Sequence, residues 1–206
     1  MRLRWVVTGI LLFAAFVVLG VLVARQPPPF DLEVATALRG EDTQPAGQVA
    51  GVLTDVFGPV LPWVLGAVLA GFALRDRSRL WLYVRLAAVL VVCRLTSPVF
   101  KPLFHRQRPR VYPDLSYPSG HVVSVAATAL VVVLLCGCLA RRFVPLATSV
   151  GLAATALTAA CRVVLGVHWV TDAVGAGLAV LGVGLVSATA LRILPFPGPV
   201  GRSLQE

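Results

Sequence analysis

Long apolar runs separated by short polar gaps dominate this chain. The runs cover residues 5–24, 56–74, 80–100, 119–140, 143–163 and 169–191. A helix needs about 20 apolar residues to cross the hydrocarbon core of a bilayer, where every backbone polar group must be bonded internally. The pattern therefore predicts an all-α bundle of six transmembrane helices, forming a single membrane domain over residues 1–206.

The two ends of the chain and its first polar gap allow further predictions. The first run follows a basic start, as in a secretory signal. Its length and the lack of a clear A-x-A cleavage site favour a retained span. Residues 31–39 are predicted to form a short interfacial helix, on a partly periodic apolar pattern. The tail from Pro195 is too rich in Pro and Gly to continue a helix.

Composition excludes several classes of protein. Of 206 residues, 58% are hydrophobic and 13% are charged, and the mean hydropathy is +0.87. A soluble domain carries about 45–50% apolar and about 25% charged residues, so a soluble globular fold and a disordered chain are both excluded. The net charge of +9 does not indicate nucleic acid, because the basic residues lie mostly in the short gaps that flank membrane helices.

The basic gaps also predict an orientation. Cytoplasmic loops of membrane proteins are enriched in Lys and Arg. With the N-terminus in the cytoplasm, the basic cytoplasmic segments are residues 1–4, 75–79 and 141–142 and the tail with Arg192 and Arg202. This predicts a multi-pass plasma-membrane protein with both termini cytoplasmic. The basic stretch 101–110 then falls on the extracytoplasmic side, against the rule, and needs another explanation.

That stretch, KPLFHRQRPR, begins just after the third apolar run. Arg presents a planar fork that binds phosphate in a bidentate manner, and Lys presents a point charge. The stretch is therefore a candidate phosphate site. A basic loop attracted to anionic lipid head groups is the alternative.

A second candidate opens the fourth run, at residues 117–121. Pro118 stops a helix that enters from the loop, and Ser119 is a good N-cap residue. Gly120 allows a ligand to approach the backbone, and the N–H groups of a helix start bind anions. His121 is then placed to donate a proton beside the anion. An ordinary helix cap with an interfacial histidine is the alternative.

A third candidate, Arg162, His168 and Asp172, joins the fifth and sixth runs. Residues four apart share a helix face, so the Asp172 carboxylate can fix the tautomer of the His168 imidazole. Charged residues at membrane depth indicate function. The alternative is a structural Arg–Asp pair that ties two helices together. The predicted topology opens all three candidates on one side of the membrane.

The three segments together resemble a known signature. Lys101-x6-Arg108-Pro109, Pro118-Ser119-Gly120-His121 and Arg162-x5-His168-x3-Asp172 are similar to the motifs of the type 2 phosphatidic acid phosphatase superfamily. These are integral-membrane lipid phosphate phosphatases related to vanadium haloperoxidases, so the resemblance implies a haloperoxidase-like helical core. The third motif usually begins Ser-Arg, and here Cys161 replaces the serine.

The resemblance also implies residue roles. His168 is the expected nucleophile, Asp172 orients it, and His121 is the expected general acid. The phosphate is expected to be held by Lys101, Arg108, Ser119, Gly120 and Arg162. The implied reaction is hydrolysis of a lipid phosphate or diphosphate through a phosphohistidine, without a metal or another cofactor, since the motifs contain three cations and no carboxylate cluster for Mg²⁺.

Several alternatives stay open at this stage. Undecaprenyl diphosphate, phosphatidic acid, phosphatidylglycerol phosphate and diacylglycerol pyrophosphate all fit as substrates, and the oligomeric state is not specified. A phosphotransferase with a lipid or sugar acceptor is the first rival function, and a non-catalytic binder or transporter is the second.

Some residues near the motifs have roles that the sequence does not decide. Arg94 points either to the site or to a structural partner such as Asp55, and His105 is either an interfacial side chain or a head-group contact. Three residues of the gap between the third and fourth runs, Tyr112, Asp114 and Tyr117, are expected to shape the loop over the site. Trp169 is expected to anchor the chain at the membrane interface.

Overall fold

A computed structural model describes residues 1–196 of the chain, apart from the side chain of Val56. The predicted tail therefore lies outside the described residues from position 197 onward. Seven α-helices occupy the described part: α1 Arg2–Val23, α2 Pro29–Ala37, α3 Pro45–Arg75, α4 Leu80–Phe104, α5 Gly120–Leu139, α6 Val144–Val164 and α7 Val170–Ala190. All except α2 are long and apolar enough to cross a membrane. The predicted all-α fold with six membrane-spanning helices is confirmed.

Two helices extend beyond the predicted apolar runs. Helix α3 begins at Pro45 and not near residue 56, because Pro is well suited to the first turn and polar side chains do not end a helix whose backbone bonds continue. Helix α4 continues past residue 100 to Phe104, so Lys101 belongs to its last turn and not to the following loop. The helix ends at His105, whose left-handed φ of 49° stops it.

The bundle core lies between α4, α5 and α7, and α1 packs along α7. At the α1–α7 contact, a Cβ on Gly182 would lie 2.7 Å from the backbone nitrogen of Phe13. Glycine therefore permits the close approach of the two backbones, as small residues do in membrane proteins. The central contacts are apolar, with Leu86, Val123 and Val180 buried among them.

An aromatic cluster joins α1 to the loop before α5. The Tyr117 ring stacks on Phe16 at 5.3 Å between centroids, and its hydroxyl donates to the Phe16 carbonyl oxygen at 2.7 Å. Gly175 of α7 leaves no room for a Cβ beside the same ring. Tyr117 is fully buried in the bundle, so it holds the loop before α5 through its contact with α1 and not as an exposed side chain over the cavity.

Helix α2 confirms the short helix predicted at residues 31–39, with bounds Pro29–Ala37. Its acidic first turn does not face water, since Asp31 is 1% exposed. The carboxylate bonds to Arg106 in the α4–α5 loop and to Thr171 in α7. The helix is thus fastened to the end of the bundle where the candidate residues lie.

Candidate active site

A cavity of about 580 Å³ opens at the end of the bundle where α4 ends, α5 begins and α6 ends. Six of the eight predicted site residues line it: Lys101, Arg108, Gly120, His121, Arg162 and His168. The other two, Ser119 and Asp172, are buried next to these in the chain or in space. The structure therefore brings together three segments that are far apart in the sequence.

His168 and Asp172 form a buried pair at the start of α7. The imidazole Nδ1 lies 3.2 Å from Oδ2 of the carboxylate. Asp172 is the third residue of α7, where its side chain also accepts the Trp169 backbone N–H at 2.8 Å, as in a capping box. A carboxylate accepts only, so Nδ1 carries the proton and Nε2 is the imidazole nitrogen with a free lone pair.

The protonation state of His168 suits a nucleophile. Burial lowers the pKa of His168 to about 4, although the hydrogen bond and the charge of Asp172 oppose this. The nearby guanidinium groups of Arg108 and Arg162 lower the pKa further. The imidazole is therefore neutral at pH 7 and keeps the lone pair on Nε2.

Arg108 and Lys101 share a carboxylate. The Arg108 Nε donates to the Asp114 carbonyl oxygen at 2.6 Å and Nη1 to the Val167 carbonyl oxygen at 2.8 Å, with the Tyr112 ring 4.3 Å from the guanidinium. Lys101 contacts the Asp114 carboxylate. Burial raises the pKa of Asp114, but the hydrogen bond and charge of Lys101 hold it below the ordinary value. The carboxylate thus balances two cations in the cavity wall.

Arg162, in the last turn of α6, has few protein partners. Its Nη1 lies 3.5 Å from the Thr54 hydroxyl, at the limit of a hydrogen bond. Its buried Nε has no partner within residues 1–196. A buried guanidinium with unused donors in a cavity wall is suited to an anionic ligand.

The start of α5 supplies further donors. Ser119 occupies the N-cap position, but the expectation that its hydroxyl caps the helix is wrong. The hydroxyl is buried and makes no hydrogen bond with the described residues, because the Ser119 side chain does not turn back toward the first N–H groups of α5. Both the hydroxyl and the N-terminal amides therefore remain available to an anion. His121 follows in the first turn, and its ring packs against Gly58 of α3, where a Cβ would overlap it.

The structure decides the roles left open around the motifs. Arg94 lines the cavity and donates to the Ser124 hydroxyl at 2.5 Å and to the Gly120 carbonyl oxygen at 3.2 Å, and not to Asp55. His105 is exposed and does not line the cavity. Trp169 is buried, with its indole N–H donating to the Gln107 carbonyl oxygen at 2.9 Å, so the predicted interfacial anchor is wrong. The indole sits where the α6–α7 loop packs on the α4–α5 loop.

Sequence reasoning missed Arg106 and Asp31. Arg106 is 2% exposed and lies between the carboxylates of Asp172 and Asp31. In the sequence it looks like one more member of a basic stretch, and Asp31 looks like an ordinary acidic residue of an outer loop. No helix periodicity joins two residues 75 positions apart, so only the folded chain shows the contact. Among the described residues, no group of three or more His, Cys, Asp and Glu side chains is placed to hold a metal ion.

Comparison with known proteins identifies the family of this chain. A family model described as the PAP2 superfamily matches residues 82–194, which is more than half of the chain. The chain belongs to the PAP2 superfamily, and the resemblance drawn from its motifs is confirmed.

A solved structure shares the fold. It is the crystal structure of a transmembrane PAP2 type phosphatidylglycerolphosphate phosphatase from Bacillus subtilis, with a TM-score of 0.70 and 22% sequence identity. The match covers 89% of this chain and 94% of that one. At this identity the likeness establishes the fold. No curated protein sequence matches the chain.

Proposed function

We propose that this protein is a multi-pass membrane phosphatase that hydrolyses a lipid phosphate or lipid diphosphate at the extracytoplasmic end of its bundle. One observation carries the proposal: the His168 imidazole, held by the Asp172 carboxylate, shares a cavity with three cationic side chains, Lys101, Arg108 and Arg162. Membership of the PAP2 superfamily supports the same reaction class. The basic loops that face the cytoplasm in the proposed orientation support the membrane side.

The first step is attack on phosphorus by Nε2 of His168. A nitrogen–phosphorus bond forms while the bond between phosphorus and the lipid oxygen breaks. His121 donates a proton to that departing oxygen, which leaves as the lipid alcohol or the lipid phosphate. Asp172 stabilises the positive charge that develops on His168.

The second step returns the protein to its starting state. His121, now neutral, accepts a proton from a water molecule whose oxygen attacks the phosphohistidine. The nitrogen–phosphorus bond breaks, inorganic phosphate leaves, and Nε2 recovers its lone pair. His121 ends the cycle protonated and ready to act again as the general acid.

Phosphoryl transfer depends mainly on positioning and on stabilising the charge of the equatorial oxygens. Lys101, Arg108 and Arg162 place three cations around one cavity. We therefore expect EDTA to leave phosphate release unchanged, measured against the same protein with added Mg²⁺. A strict requirement for added Mg²⁺ would contradict the proposed mechanism.

The cavity wall also suits a substrate with a lipid tail. Pro59 of α3 and Pro98 and Pro102 of α4 form part of it. These helices are membrane spans, so the apolar side of the cavity faces the region where acyl or prenyl chains reside. A phosphate group can enter from this side while its tail stays in the bilayer.

The test is a phosphate-release assay on the full chain in detergent. The panel holds phosphatidic acid, phosphatidylglycerol phosphate, diacylglycerol pyrophosphate and undecaprenyl diphosphate. We expect His168→Ala to abolish release from every lipid that the wild type hydrolyses. His105→Asn is the matched control, because His105 is exposed, lies outside the cavity and has a left-handed backbone that Asn tolerates.

Two results would contradict this function. Equal activity of His168→Ala and His105→Asn would show that His168 is not the nucleophile. Recovery of the phosphoryl group on an added lipid or sugar acceptor, and not as free phosphate, would identify a phosphotransferase.

A further inference from the structure

A buried ion network lies behind the His168–Asp172 pair. Arg106 donates from Nη1 to Oδ1 of Asp172 at 2.5 Å and from Nη2 to Oδ2 of Asp31 at 2.8 Å. Thr171 accepts from the same Nη1 at 2.7 Å and donates to Asp31 at 2.5 Å. Arg106, Asp31 and Asp172 are all nearly inaccessible to solvent. Asp172 is the only member of the network at a specified position of the three motifs, since Arg106 and Thr171 occupy unspecified positions within them and Asp31 lies outside them.

We propose that Arg106 and Asp31 are positioning residues that set the orientation and the charge of Asp172, and through it of His168. The inference rests on the proposed role of His168 as nucleophile. Arg106 holds one carboxylate oxygen of Asp172, which turns the other oxygen toward the imidazole. Asp31 in turn fixes the guanidinium, so helix α2 supports the site from outside the bundle.

The charges around the pair show why this matters. The charged and titratable groups that act on His168 or Asp172 are Lys101 of α4, Arg106, Arg108 and Tyr117 of the α4–α5 loop, His121 of α5 and Arg162 of α6. Asp172 is the acid that opposes the cations near His168. Arg106 neutralises part of that charge, and Asp31 neutralises part of Arg106. Neutralising Arg106 and neutralising Asp31 therefore change the electrostatic potential at the His168 imidazole in opposite directions.

The opposite changes expected in the pKa of His168 distinguish a positioning role from a salt bridge that is only structural. A buried ion pair that only ties α2 to the bundle is lost equally when either partner is neutralised. The measurement is the pKa of His168 by NMR on the full chain in detergent, with ¹³C-labelled histidine. The chain has three histidines, so the spectrum of His168→Ala assigns the signal.

We expect Arg106→Gln to raise the pKa of His168 by about one pH unit, because a cation is removed from beside Asp172. Asp31→Asn should lower the pKa, because a carboxylate is removed. Arg106→Lys keeps the charge and should hold the pKa near the wild-type value. If Arg106→Gln does not fold, the pKa of His168 in the Asp31→Asn and Arg106→Lys proteins still tests the proposal.

Kinetics give a second readout. Arg106 is not part of the cavity wall, so Arg106→Gln should lower kcat by about 10- to 100-fold and change KM by less than about threefold. Arg106→Lys should recover part of kcat. Arg110→Gln is the matched control, since Arg110 lies in the same loop but is exposed and pairs with Asp42 at the surface.

The outcomes distinguish this inference from the proposed function. A pKa of His168 that stays constant, or that moves the same way in Arg106→Gln and Asp31→Asn, overturns the positioning role. Normal kcat in folded Arg106→Gln, with His168→Ala inactive, also overturns it while the proposed function stands. Full activity of His168→Ala overturns both.

A second inference comes from Arg94, which is independent of that network. Arg94 lines the cavity from α4 together with Ser97 and Lys101, at positions that share one helix face. It makes no ion pair with a carboxylate anywhere in residues 1–196, and only its Nη1 has protein hydrogen-bond partners there. An unpaired cation within a membrane span is costly, which indicates an anionic ligand.

We infer that Arg94 binds the second phosphate of a lipid diphosphate, an inference that also rests on the proposed function. Its partners, the Gly120 carbonyl and the Ser124 hydroxyl, belong to the turn of α5 that carries His121. Arg94 therefore lies on the side where the leaving group receives its proton. When a diphosphate is cleaved, the leaving group is an anionic lipid phosphate, whereas a monophosphate releases a neutral alcohol.

The test compares farnesyl diphosphate with farnesyl phosphate, which share one tail. We expect Arg94→Gln to lower kcat/KM for the diphosphate at least about tenfold more than for the monophosphate. Arg94→Lys should fall between these values, and Arg85→Gln, elsewhere on α4, should change neither rate. Equal losses on both substrates, or no hydrolysis of farnesyl diphosphate by the wild type, would overturn the inference. Inactive His168→Ala beside equal losses would leave the proposed function standing.

Discussion

At the residue scale, the site converges on the carboxylate of Asp172. One oxygen accepts from Arg106, and the other is shared by His168, the Trp169 backbone N–H and the Ser116 hydroxyl. These donors stabilise the charged form of the buried Asp172 carboxylate and hold it in a single orientation. The orientation of the His168 imidazole, the proposed nucleophile, is therefore fixed at the start of α7 before a substrate binds.

The first residue-scale prediction concerns protonation. We expect the His168 imidazole to titrate near pH 4, because burial and nearby guanidinium groups disfavour its cation. Since the pKa lies below its ordinary value, His168 is neutral from about pH 5 upward and loses its nucleophilic lone pair only in stronger acid. NMR titration of ¹³C-labelled histidine measures this directly. A midpoint at or above about 6.5 would show that the buried environment does not act as described.

The sequence predicted one part of this chemistry and not the other. His168 and Asp172 could be paired from their spacing, because residues four apart meet on a helix. Ser119 lies at the N-cap position that the sequence predicted, but its hydroxyl does not cap α5, because N-cap preference does not fix where the side chain points. The contact of Arg106 with Asp31 had no local signal at all.

At the scale of helices, the position of His121, the proposed general acid, depends on the packing of α3 against α5. The His121 ring fills the space that a side chain on Gly58 would need. Helix α3 therefore sets how far the imidazole reaches into the cavity, although Gly58 has no functional group of its own. Close packing of this kind is sensitive to single methyl groups.

We accordingly expect Gly58→Ala to lower kcat by about 10- to 100-fold, because the added methyl group displaces the His121 ring. Gly51→Ala in the same helix is the control, since a Cβ there meets nothing within 4 Å. The measurement is phosphate release by both proteins, with helical content checked by circular dichroism. Equal activity of the two variants would show that the ring has room to move.

Hydropathy predicted the number and order of the membrane helices well, because only long apolar helices satisfy the backbone in lipid. It failed at their ends. Charge and Pro mark the edge of an apolar run, yet α4 continues through Lys101 and Pro102 to Phe104. The extra turn places Lys101 on the cavity wall, so the helix end that hydropathy misplaced belongs to the candidate site.

At the scale of the molecule, the proposed orientation places the cavity outside the cell and the turn Arg77–Arg79 inside. We expect Val111→Cys to react with a membrane-impermeant maleimide in intact cells, because Val111 is fully exposed in the α4–α5 loop. Ser78→Cys should react only after lysis. The wild-type chain measures the background from its four native cysteines. The reverse pattern of labelling would place the site in the cytoplasm.

Helix α1 has a consequence for how the protein is made. Phe16 accepts the Tyr117 hydroxyl and lies under its ring, in the segment that leads into the second motif. Cleavage by a leader peptidase after this helix would remove Phe16, on which the Tyr117 ring stacks. It would also expose the side of α7 that carries Gly182 to the acyl chains of the bilayer. The stacking of Phe16 on Tyr117 and the close packing on Gly182 therefore make α1 a structural part of the bundle that holds the candidate site.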